Sequence, residues 1–244
     1  MTFGHKLNLS HNKNKDLKST DKKMNKSRKE REKERHRNEI IDAGESLFLS
    51  QGYDNTTMEE IAQEAEFAKG TLYNYFESKE DLYLAIGTKA YEFMVNITKK
   101  FTQEKDPGIE QLMAVGYAYY EFTKTYPQYA TIFHDIASRM PELSLKKKDD
   151  LTKAEKKYFE KVEEYRDIFI GVISASIQNK KIRADVDPMM IGIALSSISS
   201  GFIKEITQNR DFLNNVNLDR DEVVDFVFDM IAEGLKPKKN KNNK

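Results

Sequence analysis

The 244-residue sequence has no cysteine, which excludes disulfides, thiolate zinc sites, iron–sulfur clusters and a cysteine nucleophile. It also lacks an 18-residue apolar run, and its N-terminus lacks an apolar signal core. Neither a membrane span nor secretion is therefore expected. These absences favour a cytoplasmic protein. Proline and glycine are scarce, at 5 and 11 residues, so signals for β-hairpin turns are few.

The net charge of zero hides an uneven distribution of charge. Residues 1–37 hold 13 Lys and Arg against 5 Asp and Glu, and residues 236–244 hold 5 Lys and no acid. The body between them has 22 basic and 35 acidic residues. Basic ends on an acidic body favour a polyanion contact near the N-terminus. We interpret residues 1–27 as a disordered basic tail and residues 236–244 as a solvated one.

Apolar residues recur at a spacing of 3.6 in nearly every segment after residue 28, which predicts an all-α fold. The predicted helices cover residues 28–51, 57–66, 69–76, 78–100, 109–125, 128–138, 149–181, 188–208 and 219–235. A long helix, two short helices and a second long helix form the order of a helix-turn-helix reader and its support. We therefore predict a DNA-binding domain over residues 28–86 and a larger helical domain over residues 87–235.

The third helix, Lys69 to Phe76, has the pattern of a helix that enters the major groove. Its leading turn is polar or small, while Leu72 and Phe76 are expected to anchor its opposite side. Gly70 leaves room for the sugar-phosphate wall. The side chains that can donate to bases or phosphates are Lys69, Thr71, Tyr73, Asn74 and Tyr75.

Further phosphate contacts are expected on both sides of this reader helix. Thr56 and Thr57 begin the preceding helix, where Thr57 and Glu60 also fit a capping box, and Lys79 follows the reader. The basic stretch ahead of the first helix can reach the minor groove or phosphates; it includes Arg31, Arg35 and Arg37.

A helical hairpin that does not bind DNA is the alternative. Residues 38–90 hold only three basic residues against eleven acids. On this interpretation Tyr73 and Tyr75 are packed aromatic residues of an ordinary core.

Residues 38–86 closely resemble the N-terminal DNA-binding domain of the TetR family of transcriptional regulators. The resemblance lies in Thr-Thr-Met-Glu-Glu-Ile-Ala at 56–62, Ala-Lys-Gly-Thr-Leu-Tyr-Asn-Tyr-Phe at 68–76 and Ser-Lys-Glu-Asp-Leu at 78–82. It implies that Thr56 or Thr57, Tyr75 and Lys79 hold phosphates. It also implies that Lys69, Gly70, Thr71, Tyr73 and Asn74 face the groove.

Two positions depart from the family pattern. Glu66 stands where glycine is usual, at a left-handed helix exit, and a non-glycine residue there costs roughly 1 kcal/mol. Ala68 stands where a hydroxyl residue commonly caps the reader, at a cost of about another 1 kcal/mol.

The last two predicted helices each carry two apolar or small faces, so one face can pack on the core and the other on a second subunit. The resemblance implies a homodimer interface of this kind, in which we place Ala194, Ser197, Gly201, Val227 and Met230. The uncharged run over residues 188–203 is short for a membrane span and contains four serines.

The larger domain is rich in aromatic residues and methionines, which can enclose a small apolar effector or simply fill the core. The candidate ligand contacts are Phe101, Met113, Tyr117, Tyr120, Phe133 and Phe169. His134, Asp135 and Arg139 can form a polar contact or a metal site. Adjacent helical side chains diverge by about 100°, which argues against metal. No cofactor is expected.

These features predict a homodimeric repressor of a palindromic double-stranded operator. Two readers roughly 34–36 Å apart bind such a site. An effector that tilts the helix from Ser78 to Lys100 would disturb their register, and about 4 kcal/mol of differential affinity lowers binding roughly 1,000-fold. A DNA-binding dimer without small-molecule input is the alternative. No catalytic motif points to an enzyme.

Overall fold

The computed structural model describes residues 27–139, 146–208, 213 and 215–238. These residues form α-helices and one short 3-10 helix, Lys148–Asp150, without any strand. The α-helices are α1 (Arg28–Gln51), α2 (Met58–Glu64), α3 (Lys69–Tyr73), α4 (Lys79–Thr102), α5 (Ile109–Thr125), α6 (Pro127–Arg139), α7 (Lys153–Gln178), α8 (Pro188–Gln208) and α9 (Arg220–Leu235). The predicted all-α fold is confirmed. Residues 1–26 and 239–244 of the expected tails lie outside the described part.

The chain divides into two compact units between Glu77 and Ser78. The division falls immediately before α4, whereas the boundary that we expected after residue 86 lies inside that helix. The first unit contains α1 to α3, and the second contains α4 to α9.

The first unit is built from capped helices. Ser27 and Glu30 form a capping box at the start of α1, which ends at Gly52 with a φ of 84°. The predicted capping box of Thr57 and Glu60 begins α2. The backbone at Glu66 is left-handed, with a φ of 57°. The family resemblance implied this conformation at the helix exit.

Apolar residues from all three helices of the first unit are buried. They are Ile40, Phe48, Met58, Ile61 and Leu72, with Phe76 just beyond α3. Both residues expected to anchor the reader, Leu72 and Phe76, are therefore in the core. The reader helix itself is shorter than predicted and ends at Tyr73.

In the second unit, α4 is the central helix and packs on α5, α6 and α7. Its Gly87 allows a close approach, because a Cβ atom there would collide with the Ile136 side chain and contact Tyr158. Helix α9 packs on α5, where the Phe228 ring lies 3.0 Å from the position of a Cβ atom at Gly116.

Within the described residues, Pro188–Thr207 of α8 is long and apolar enough to cross a membrane by length and composition alone. This is weak evidence, because core helices pass the same test. Ile191, Leu195 and Ile203 of this helix are buried in the second unit.

Candidate DNA interface and effector cavity

Helix α3 presents small and polar residues on its exposed side. Gly70 and Asn74 are exposed, and Thr71 is half-buried. A Cβ atom at Gly70 would meet nothing within 4 Å, and its φ lies outside the left-handed region. Neither packing nor backbone conformation therefore requires glycine at this position. A close approach by an external partner would require it.

Tyr73 is 45% exposed and forms no hydrogen bond or ring contact with any described residue. A large aromatic side chain with this exposure is not a core residue of the first unit. The alternative that Tyr73 is a packed aromatic residue is thus inconsistent with its position.

Lys69 forms an ion pair with Glu59 of α2. Both side chains are more than half exposed, at 52% and 59%. The ammonium group at the start of the reader is therefore accessible, although a neighbouring carboxylate neutralises it.

Tyr75 is half-buried, and its hydroxyl lies 3.3 Å from Nδ1 of His36 on α1. The His36 ring also makes an edge contact with Phe67, with 5.1 Å between the ring centroids. Tyr75 is thus partly packed, and its hydroxyl is oriented by the first helix.

The two threonines expected to hold phosphate differ sharply. Thr56 is 1% exposed and donates its hydroxyl hydrogen to the carbonyl oxygen of Gly52 over 2.7 Å. It cannot present that hydroxyl to DNA, which corrects the expectation for Thr56. Thr57 is exposed, and its hydroxyl lies 2.8 Å from a carboxylate oxygen of Glu60. The hydrogen bond from Thr57 holds the pKa of Glu60 below its usual value.

The arginines predicted to form a basic arm lie within α1. Arg31 and Arg35 are exposed on the helix, and the guanidinium of Arg37 lies 5.0 Å from the centroid of the Phe76 ring. These arginines therefore lie on the first helix and not ahead of it, which corrects that expectation. A helix rises only about 1.5 Å per residue, which limits how far they reach. Lys79 is the half-buried first residue of α4, in the second unit.

A cavity of about 320 Å³ lies within the second unit. Its aromatic lining comprises Tyr91, Tyr119, Phe133, Tyr165, Phe169 and Phe228. The remaining lining residues are Leu112, Met113, Val115, Gly116, Leu195, Ser196, Ser197, Ser199, Ser200 and Ile231. The volume is at the lower end of the range for pockets that hold small organic ligands.

Three of the six predicted ligand contacts line this cavity: Met113, Phe133 and Phe169. Phe101, Tyr117 and Tyr120 do not, which corrects the prediction. Tyr117 donates to Asp225 of α9 over 2.7 Å, and Tyr120 donates to Asp221 over 2.6 Å. Phe101 is half-buried elsewhere on α4.

Sequence reasoning missed the three tyrosines of the cavity, Tyr91, Tyr119 and Tyr165. The serines of α8 were the available signal, because four hydroxyls interrupt an otherwise apolar helix. Burial raises the pKa of Tyr165 to about 12 and that of Tyr119 further. Like other tyrosines, they are neutral near pH 7, and their hydroxyls can donate hydrogen bonds.

The surface predicted for dimerisation is accessible. Ala194, Ser197 and Gly201 are exposed, Met230 is 59% exposed and Val227 is half-buried. Large apolar side chains on α8 and α9 share this exposure: Met189, Met190, Ile193, Ile198 and Phe226.

The expected polar group on α6 is only partly described. The side chain of Arg139 lies outside the described part. His134 and Asp135 bind different partners, since His134 Nε2 lies 2.8 Å from the Tyr119 hydroxyl and Tyr83 donates to Asp135 over 2.7 Å. The described residues contain no group of three or more potential ligands that could hold a metal ion.

Residues 40–86 match the family model described as "Bacterial regulatory proteins, tetR family". These residues therefore form a TetR-family helix-turn-helix DNA-binding domain.

Two curated relatives and one solved structure extend the comparison. The chain is 30% identical over 76 residues to the negative transcriptional regulator IcaR of the icaADBC biofilm operon in Staphylococcus aureus, covering 31% of this chain and 41% of IcaR. It is 26% identical over 113 residues to the transcriptional activator FasR of Mycolicibacterium smegmatis, covering 46% of this chain and 52% of FasR. The chain thus spans about half or less of the curated relatives it matches.

The fold is similar to that of the transcriptional regulator FadR from Bacillus subtilis in complex with stearoyl-CoA. The TM-score is 0.59 at 20% identity, over 81% of this chain and 98% of FadR. At this identity the likeness concerns the fold alone.

Proposed function

We propose that the protein is a homodimeric repressor that binds a palindromic operator and is released by a small, largely apolar molecule in its second unit. The observation that carries the proposal is the free space around Gly70, next to the exposed and unpartnered Tyr73. Both features have no role within the first unit. Both are expected of a helix that approaches base edges closely.

On this proposal Lys69, Gly70, Thr71, Tyr73 and Asn74 face the groove. Thr57, Tyr75 and Lys79 contact phosphates. Arg37 acts from α1 beside Phe76, where its charge adds to phosphate attraction rather than reading bases. Thr56 is left out, because it is buried and its hydroxyl donates to the carbonyl oxygen of Gly52.

Homodimerisation is supported by the exposed apolar side chains of α8 and α9. Phe226, Met190 and Ile193 are each at least 60% exposed, and they leave a large apolar area in water. Burying such area contributes about 25 cal/mol per Å². A two-fold interface would cover the same face on both subunits and present two readers to a palindrome.

Control by an effector is supported by the aromatic cavity. The solved FadR structure has stearoyl-CoA bound, so this fold accommodates an acyl ligand in that protein. Here Tyr91 lies on α4, the helix that begins at Lys79, directly after the DNA-binding unit. An effector that contacts Tyr91 would act on the helix that leads to the reader. The cavity favours this mechanism over a dimer without small-molecule input.

Repression is supported by the match to IcaR, a negative regulator, while FasR is an activator. The test begins with a duplex pool from which the wild-type protein selects its preferred sites. A selected palindrome placed over a promoter should lower reporter expression when the protein is present. Increased expression would show activation, and selection of no sequence would overturn the proposal.

A further inference from the structure

A second space lies beside the aromatic cavity in the second unit. It is a polar groove of about 270 Å³ between α5, α6 and α8. His134, Asp135 and Lys204 are its ionisable lining residues. We define this groove by those three side chains.

One hydrogen bond joins the lining of the groove to the lining of the cavity. Tyr119 lines the cavity and His134 lines the groove, and the Tyr119 hydroxyl lies 2.8 Å from Nε2 of His134. Helix α8 extends along both spaces, because Ser196 and Ser200 line the cavity and Lys204 lines the groove. Residues four apart lie on one helix face, so the two spaces follow each other along α8.

The groove has two donors for an anion. Lys204 is exposed and forms no ion pair with any described residue. When the Tyr119 hydroxyl donates to Nε2 of His134, the neutral imidazole carries its hydrogen on Nδ1. The pKa of the His134 ring is lowered by burial, which is the larger cause, and by the positive charge of Lys204.

The remaining polar groups of the groove are engaged. Asp135 accepts a hydrogen bond from Tyr83 over 2.7 Å, which engages one of its carboxylate oxygens. The hydroxyls of Thr123 and Thr207 donate to carbonyl oxygens of their own helices over 2.7 and 2.6 Å. Lys204 and His134 therefore dominate recognition, and both favour a negative group.

We infer that the effector is an anionic amphiphile, with its apolar part in the aromatic cavity and its carboxylate in the groove at Lys204 and His134. The inference rests on the proposed effector role of the cavity. A ligand that spans both spaces replaces the bond between Tyr119 and His134. At roughly 30 Å³ per small heavy-atom group, the cavity suits a chain of on the order of ten carbons.

The test is calorimetric titration of the full chain with decanoate, 1-decanol and decyltrimethylammonium, which share a chain and differ in head-group charge. Decanoate should bind at least tenfold more tightly than the other two. Lys204→Met should lower the affinity for decanoate tenfold or more and should change the affinity for 1-decanol less than twofold. Lys204→Arg should retain decanoate binding within about threefold. Lys156→Met, at an exposed lysine of α7, is the matched control. It should change the affinity for neither decanoate nor 1-decanol.

The outcomes separate this inference from the proposed function. Equal affinity for decanoate and decanol, or no effect of Lys204→Met, overturns the anionic head group and leaves an apolar effector in place. No binding of any of the three amphiphiles, with the fold intact by circular dichroism, overturns both the head group and the effector cavity.

Discussion

Glu59 of α2 forms an ion pair with Lys69, the first residue of the reader helix. The pair joins the two short helices of the helix-turn-helix. It also places a carboxylate beside a cation that the proposed DNA contact requires. When DNA binds, this pair therefore has to separate, or the negative carboxylate of Glu59 has to remain near phosphate.

Glu59→Gln should raise affinity for the selected duplex a few-fold at low salt. The substitution frees Lys69 and removes one negative charge, and the gain should shrink as salt screens it. The free energy of unfolding should change by less than about 1 kcal/mol, since exposed pairs contribute little. Fluorescence anisotropy at two salt concentrations measures the effect.

Glu64→Gln is the control for that substitution. Glu64 lies on the same helix and is exposed, and it forms no ion pair with a described residue. Glu64→Gln should raise the affinity for the selected duplex clearly less than Glu59→Gln does. An equal gain from both variants would mean that general charge, and not the pair with Lys69, limits binding.

His134 should make the stability of the second unit pH-dependent. Burial and Lys204 lower its pKa in the folded protein. The unfolded chain therefore binds more protons between the folded value and about 6.5, so stability falls as pH drops through this window. Urea unfolding at pH 7.5 and 5.5 should show a smaller loss for His134→Gln than for wild type.

Lys204→Met should also reduce that pH dependence, because it removes the second cause of the lowered pKa. An undiminished loss of stability in both variants would assign the pH dependence to other groups.

Phe226→Asp should dissociate the proposed dimer. A charge at the centre of a buried apolar interface costs several kcal/mol for each subunit. Sedimentation velocity should show a monomer for this variant and a dimer for wild type. Leu49→Asp makes the same change at an exposed apolar residue of the first unit and should leave the dimer intact. A wild-type monomer at all concentrations would exclude the dimer.

The sequence predicted the helices well, because each is marked by local signals. The capping box at Thr57, Gly52 after α1 and the left-handed exit at Glu66 all depend on neighbouring residues. The roles of Thr56 and Thr57 were harder to separate. Which of the two hydroxyls is buried depends on the turn after α1, which brings Thr56 close to the carbonyl oxygen of Gly52.

The cavity was predicted only in part, because helix α5 carries tyrosines on opposing faces. Side chains two positions apart point about 200° apart on a helix. Tyr117 and Tyr120 therefore face α9, while Tyr119 faces the cavity and His134. Periodicity identifies these faces but does not say which neighbouring helix covers each one.

The most direct test of the proposed reader is Gly70→Ala, measured for both stability and DNA affinity. Open space around this glycine means that alanine should fold as well or gain about 0.5–1 kcal/mol, as should the control Gly171→Ala on α7. Only Gly70→Ala should weaken binding to the selected duplex, by tenfold or more, because its methyl group obstructs the approach to DNA. Wild-type DNA affinity of a correctly folded Gly70→Ala variant would contradict the assignment of α3 as the helix that reads bases.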